Sequence, residues 1–164
     1  MSGDSSSSAS AGDYNNKDVT FTQMMIPHHE QAVSMSDDIL AKKGIDSRVT
    51  ELATNIKSAQ GPEIKTMKSW LKIWGASDSG MSGMDHGNSG MMSDSEMTGL
   101  ASATGTDAAR LFLTGMTAHH EGAIVMAQTE VTGGKNAGAI ALAKEIIAAQ
   151  TSEITTMKEI LASL

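Results

Sequence analysis

Apolar and small residues recur along most of this chain with the period of an α-helix. Phe21, Met25, His28, Ala32 and Met35 fall at i, i+4, i+7, i+11 and i+14, which is one face of a 3.6-residue helix. Phe112, Met116, His119, Ala123 and Met126 have the same spacing. Leu52, Ile56, Ala59, Glu63, Met67 and Trp70 share a side of another helix. The pattern predicts four long helices, over about 17–43, 46–74, 106–132 and 136–162. Asn15 or Asn16 is the expected cap of the first and Asp46 or Ser47 of the second. Ser93-Asp94-Ser95-Glu96 fits the S-x-x-E capping box. It predicts a short helix from Asp94 to about Ser102, within the segment 94–104.

Two prolines disturb the pattern, both in the first half. Pro27 removes one backbone hydrogen bond and is expected to kink its helix. Gly61-Pro62 is expected to interrupt the second helix. Ala118 and Thr151-Ser152 stand at the corresponding places of the second half, so the first half should be the more distorted. Turns near Gly44 and at Gly133-Gly134 are short, which favours antiparallel neighbours. The expected fold is therefore all-α: a ferritin-like four-helix bundle of two helical hairpins, with a short extra helix in the crossover.

The two hairpins repeat each other. Residues 21–35 and 112–126 are related by a shift of 91, with 7 of 15 identical, and both read M-x-x-H-H-E-x-A-x-x-M. Residues 52–71 and 142–161 are related by a shift of 90, with 11 of 20 identical, including Gln60/Gln150, Glu63/Glu153 and Met67/Met157. The change of offset places a one-residue deletion in the turn between the blocks. Each half is thus a two-helix unit, duplicated once. The organisation expected is a flexible Ser/Gly-rich leader over 1–15 and one bundle domain over 16–162. That domain comprises repeat one at 17–74, a Met/His-rich linker at 75–93, the short helix, and repeat two at 106–162.

Composition narrows the chemistry. The net charge of -7 argues against nucleic acid, which calls for a basic face. Aromatic residues make up only 3%, so base-stacking platforms are not expected either. With no cysteine there is no thiolate site and no Cys nucleophile. The soft ligands left are His and Met, and Met is unusually abundant at 13 of 164. No apolar run is long enough to span a bilayer. The polar, low-complexity leader resembles a spacer that follows an export signal or a lipid-anchor site, so an extracytoplasmic location is expected, with the signal absent from this sequence.

Cu(I) is a soft cation that favours thioether and imidazole. On one helix Met25, His28 and His29 are close enough to approach one ion. Met35 lies about 10 Å along the axis from His28, at roughly 1.5 Å per residue, and needs a partner helix to share it; Met67 in one half and Met157 in the other are candidates. The same holds for Met116, His119, His120 and Met126. In the linker, Met81, Met84, His86, Met91 and Met92 have little core to fill and suit a weak, exchangeable site. Glu30 and Glu121 are either outer partners of His29 and His120 or solvated carboxylates. The bland alternative is a bundle whose methionines fill the core and whose histidines satisfy each other. A ferritin-type di-iron site needs Glu-x-x-His, and no such motif precedes either histidine pair. H-E-x-x-H is also missing. A binding protein is expected rather than an enzyme.

F-x-x-x-M-x-x-H-H-E-x-A in both halves, with Met91-Met92-Ser-Asp-x-Glu96-Met97 and Leu111-Phe112-Leu113, resembles the bacterial domain-of-unknown-function family numbered 305. The resemblance covers about residues 16–162. It implies a ferritin-like bundle and an exported copper-binding protein acting in copper tolerance. Its ligand positions would be Met25, His28, His29, Met35, Met116, His119, His120 and Met126. The expected cargo is copper, as Cu(I) with Cu(II) the second candidate, taken from or passed to a donor or acceptor protein.

Overall fold

In a computed structural model, residues 12–78 and 89–164 are described, and within them the chain is all-α. Helix α1 spans Asn16–Leu40, α2 Ser47–Trp74, α3 Asp94–Ser102, α4 Gly105–Gly133 and α5 Ala137–Ala162. Met81, Met84 and His86 lie outside the described residues.

Local chemistry sets the helix ends. The Asn15 side chain accepts from the Lys17 and Asp18 N–H groups, and Asp18 accepts from the Asn15 N–H in return. Ser93 and Glu96 form the same reciprocal box on α3. Caps of this kind contribute about 1 kcal/mol each. Gly75 closes α2 at φ 68°, a left-handed conformation open to glycine at little cost. Helix α1 ends at Leu40, short of the predicted 43. Past it, Lys42 turns across to donate to the Ala101 and Ala103 carbonyls. Helix α3 ends at Ser102, and Ala103 is already extended.

The expected interruption at Gly61-Pro62 does not occur: α2 runs through it, as α1 runs through Pro27. Both prolines lie on the exposed face. The residues whose carbonyls they leave free, Gln23 and Ser58, are half-buried and exposed, so the lost bonds fall on the solvent side of each helix. Nor does Ala59 lie on the inner face of α2. It is exposed, and Gln60 is buried instead. One residue is a 100° turn on a helix, enough to exchange core for solvent.

α1 packs on α2 and α4, α4 on α5, and α2 meets α5, which closes a ring of four long helices. Neighbours are antiparallel. Tyr14, ahead of α1, stacks on Trp74 at the end of α2; Asn15 Nδ2 donates to the Gly133 carbonyl at the end of α4; and Arg48 at the start of α2 donates to Ser163 after α5. The duplication thus becomes an approximate twofold axis between α1 and α4.

Two hydrophobic clusters sit at opposite ends of the ring. One gathers Phe21, Met25, Met67, Leu71 and Ile146. The other gathers Met35, Ile39, Phe112, Met116 and Met157, and α3 adds Leu100 to it. The four paired histidines, all buried, form a polar layer between them.

Candidate metal centre

Consecutive histidines point about 100° apart on a helix, so each pair serves two directions. His28 and His119 meet at the α1–α4 seam, with ring centroids 3.7 Å apart and planes inclined by 37°. His29 and His120 turn to their own hairpin partners. His29 Nε2–H donates to Glu63 on α2 at 2.6 Å, and His120 Nε2–H donates to Glu153 on α5 at 3.0 Å. This carboxylate–imidazole arrangement is the one that orients histidine ligands around metals. Glu30 and Glu121 are exposed and face Lys68 and Lys158 instead.

Three ring nitrogens in the layer are buried without any hydrogen-bond partner: His29 Nδ1, His119 Nε2 and His120 Nδ1. The Gln60 and Gln150 side-chain carbonyl oxygens, which the repeat also relates, are unpartnered too. Such atoms are uncommon in native interiors and ask for an explanation. Burial pushes the His28 imidazole down to about 4; its bond to Ser89 acts upward, and His29 and His120 push it further down. Burial, with His28, His120 and His29 close by, pushes His119 down to about 2. Both rings are therefore neutral near pH 7, the form in which imidazole offers a lone pair to a metal.

The end of the crossover lies over the α1–α4 seam. His28 Nε2–H donates to the Ser89 carbonyl at 2.8 Å. The Gln31 amide grips Met92 from both sides, donating to its carbonyl at 2.9 Å and accepting from its N–H at 2.8 Å. A side chain on Gly122 would overlap the Ser89 carbonyl, and one on Gly90 the Ala118 carbonyl. Residues 89–92 are therefore a docked strap, in backbone contact with α4.

The candidate methionines among the described residues, with Met24, fall into two groups. Met25, Met35, Met67, Met116 and Met157 are wholly buried in the two hydrophobic clusters. Met25 and Met35 lie on opposite sides of the histidine layer, so they do not share an ion. Met24, Met91, Met92 and Met126 lie at least partly in reach of solvent. Met24, His28, Met91 and Met126, with Pro27 and Ser89, line a recess of about 50 Å³. Among the described residues no three His, Asp or Glu side chains converge on one cation position. What the bundle offers a metal is the softer combination of thioether and imidazole.

Sequence reasoning missed Met24, Ser89 and the partner role of Glu63 and Glu153. The glutamates had a signal: an acid kept in both repeats on an otherwise apolar helix face. Met24 had only its neighbours, and the Ser89 carbonyl had none.

Known proteins share this fold. The sequence matches the family described as Domain of unknown function (DUF305) over residues 18–161, and the chain belongs to that family. A DUF305 protein from Streptomyces coelicolor superposes with a TM-score of 0.82 at 31% identity, covering 96% of this chain and 94% of its own. A DUF305 fragment from Deinococcus radiodurans gives 0.82 at 28%, covering 93% and 100%. CopM in its Cu(II)-bound form gives 0.76 at 33%, covering 89% and 96%. CopM is also similar in Cu(I)-bound, Ag-bound and apo forms. No curated protein matches the chain. No helix among the described residues is long and apolar enough to cross a membrane.

Proposed function

We propose that this DUF305 protein binds copper as cargo, principally as Cu(I), and buffers or transfers it outside the cytoplasm in copper tolerance. The observation that carries the reading is the histidine layer, where three buried ring nitrogens lack partners, two of them on imidazoles whose other nitrogen is fixed by a glutamate. A buried polar atom left unpaired costs about 1–3 kcal/mol, and a soft cation would satisfy such nitrogens. The likeness to CopM, known in Cu(I)- and Cu(II)-bound forms, supports the same metal. The Streptomyces relative carries the description of a secreted protein, which supports the location. The role is binding rather than catalysis, and no chemistry beyond ligand exchange is assigned to the chain.

The test is an anaerobic Cu(I) titration against a competing chelator, with His28→Ala/His119→Ala alongside. The wild type is expected to withdraw copper from the chelator and the double variant to withdraw less. An inert wild type would overturn the reading. A second reading, a non-metal interaction bundle, is favoured by five of the candidate methionines being fully buried in apolar clusters. Added copper would leave the melting temperature of such a bundle unchanged, whereas a ligand that binds only the native state raises it.

A further inference from the structure

We infer that the recess between Met24, Met91 and Met126, with His28 on its wall, is a site for one soft monovalent cation, Cu(I) or Ag(I), and that the other half of the protein has no equivalent. The inference rests on the proposed copper binding and assigns it a place and a selectivity.

The recess has three properties of a built site. Its size admits a small occupant: at about 50 Å³ it exceeds the roughly 10–15 Å³ needed to hold one water and is far too small for an organic ligand. Its donors are soft, with three of its six lining residues methionine and no carboxylate among them; thioethers favour Cu(I), and hard cations prefer oxygen ligands. Its donors are also held, because they come from α1, α4 and the strap. The strap is fixed by Gln31 on Met92, by His28 on Ser89, and by the glycine-permitted approach to α4. A methionine at such a place is not core filling. Met91 is 39% exposed, whereas Met25 and Met35 are at 0%.

The approximate twofold axis supplies an internal control. Met24, Pro27, His28 and Met126 correspond to Gly115, Ala118, His119 and Met35. Gly115 removes the counterpart of the Met24 thioether, and Met92 occupies the space. A Cβ on Gly115 would lie 2.8 Å from Met92 Sδ and 3.4 Å from Met35 Cε. Met91 borders both sides: in the second half it lines a wider recess of about 310 Å³ with Met92, Gly115 and Ala118, whose walls include the Glu96 carboxylate and no histidine, so the compact thioether–imidazole arrangement exists on the first side only.

The experiment titrates the full chain with Ag(I), a redox-inert probe, and with Cu(I) against a chelator. Met24→Leu, Met91→Leu, Met126→Leu and Met35→Leu are compared, each close to the wild type in volume. The first three are expected to weaken the site by about tenfold or more, at least as much as losing an outer partner of a ligand does. Met35→Leu should leave affinity unaltered, and Zn(II) should not compete. Wild-type protein that takes up neither ion would overturn copper binding itself. Wild-type binding that survives all three leucine variants, or is lost in Met35→Leu, would overturn the recess alone and return the metal to the histidine layer.

Discussion

The two halves carry the same helices and the same histidine pairs, yet they differ at three places. At the seam, Met24 in the first half faces Gly115 in the second. Under the strap, Gln31 grips Met92 by its amide, while its counterpart Gly122 lets the Ser89 backbone come close. At the bundle ends, Asp18 and Glu130 form a buried acid pair, where the other end has Ala109 and Ile39. Duplication therefore sets up the symmetric framework of the layer. The differences between the copies let one strap lie across it in a single direction and put the narrow recess that joins thioethers to a histidine on one side only.

The shared part should break most severely and equally in both halves. His29→Ala and His120→Ala each delete a fully buried ring and leave Glu63 or Glu153 without its partner. Each is expected to cost roughly 2–4 kcal/mol in denaturant unfolding. A clear inequality between them would mean that the layer is not symmetric.

The strap should break differently from each side. Gly122→Ala drives a methyl group into the Ser89 carbonyl, for which a cost of about 1–3 kcal/mol is expected. Gln31→Ala forfeits two hydrogen bonds, each worth about 0.5–1.5 kcal/mol. Both should speed proteolytic cleavage next to Ser89. If Gly122→Ala melts like wild type, the close approach is not what holds the strap.

The acid pair should make one end sensitive to pH. Asp18 accepts from the Lys135 and Asn136 N–H groups as well as Asn15. Burial works against its charge, yet the Glu130 carboxyl and these N–H groups hold it below its usual range. Burial, and the Asp18 carboxylate beside it, push Glu130 up to about 9, although Lys17 works the other way. Neither oxygen of Glu130 has a hydrogen-bond partner, so burial beside the Asp18 carboxylate favours the neutral, protonated carboxyl. The native state thus holds a proton that the unfolded chain releases near 4.5. Stability is then fullest below that value and falls as pH rises towards 9, by up to about 1.4 kcal/mol per pH unit. Asp18 acts oppositely, its contribution being lost as pH falls below 3.8. Glu130→Gln should flatten the alkaline fall in melting temperature. A wild-type profile already flat from pH 5 to 9 would contradict the protonated carboxyl. The smallest effect expected is that of Met35→Leu on stability, under about 1.5 kcal/mol.

Much of the bundle was legible in advance because helices are local. Phe21 through Met35 show their inner face by spacing alone, and Ser93 with Glu96 announces the start of α3 by its capping chemistry. Where spacing misleads, it does so locally: it puts Ala59 inside and Gln60 outside, because a one-residue shift reverses a face and periodicity over a few turns does not resolve it. Gly61-Pro62 reads as a break until the helix is seen to present it to water.

By itself, the sequence determined that four amphipathic helices in two related hairpins would bring histidine pairs together. A repeated period and a repeated motif admit few other packings. Only the tertiary structure decided which atoms meet. The Ser89 carbonyl reaches His28 from 61 residues away, and Met91 joins Met24 and Met126 from three separate segments. Glu63 and Glu153, rather than the adjacent Glu30 and Glu121, became the partners of the inner histidines. Neighbours along a helix diverge by 100°, so a group on a facing helix is a nearer partner than the next residue in the chain.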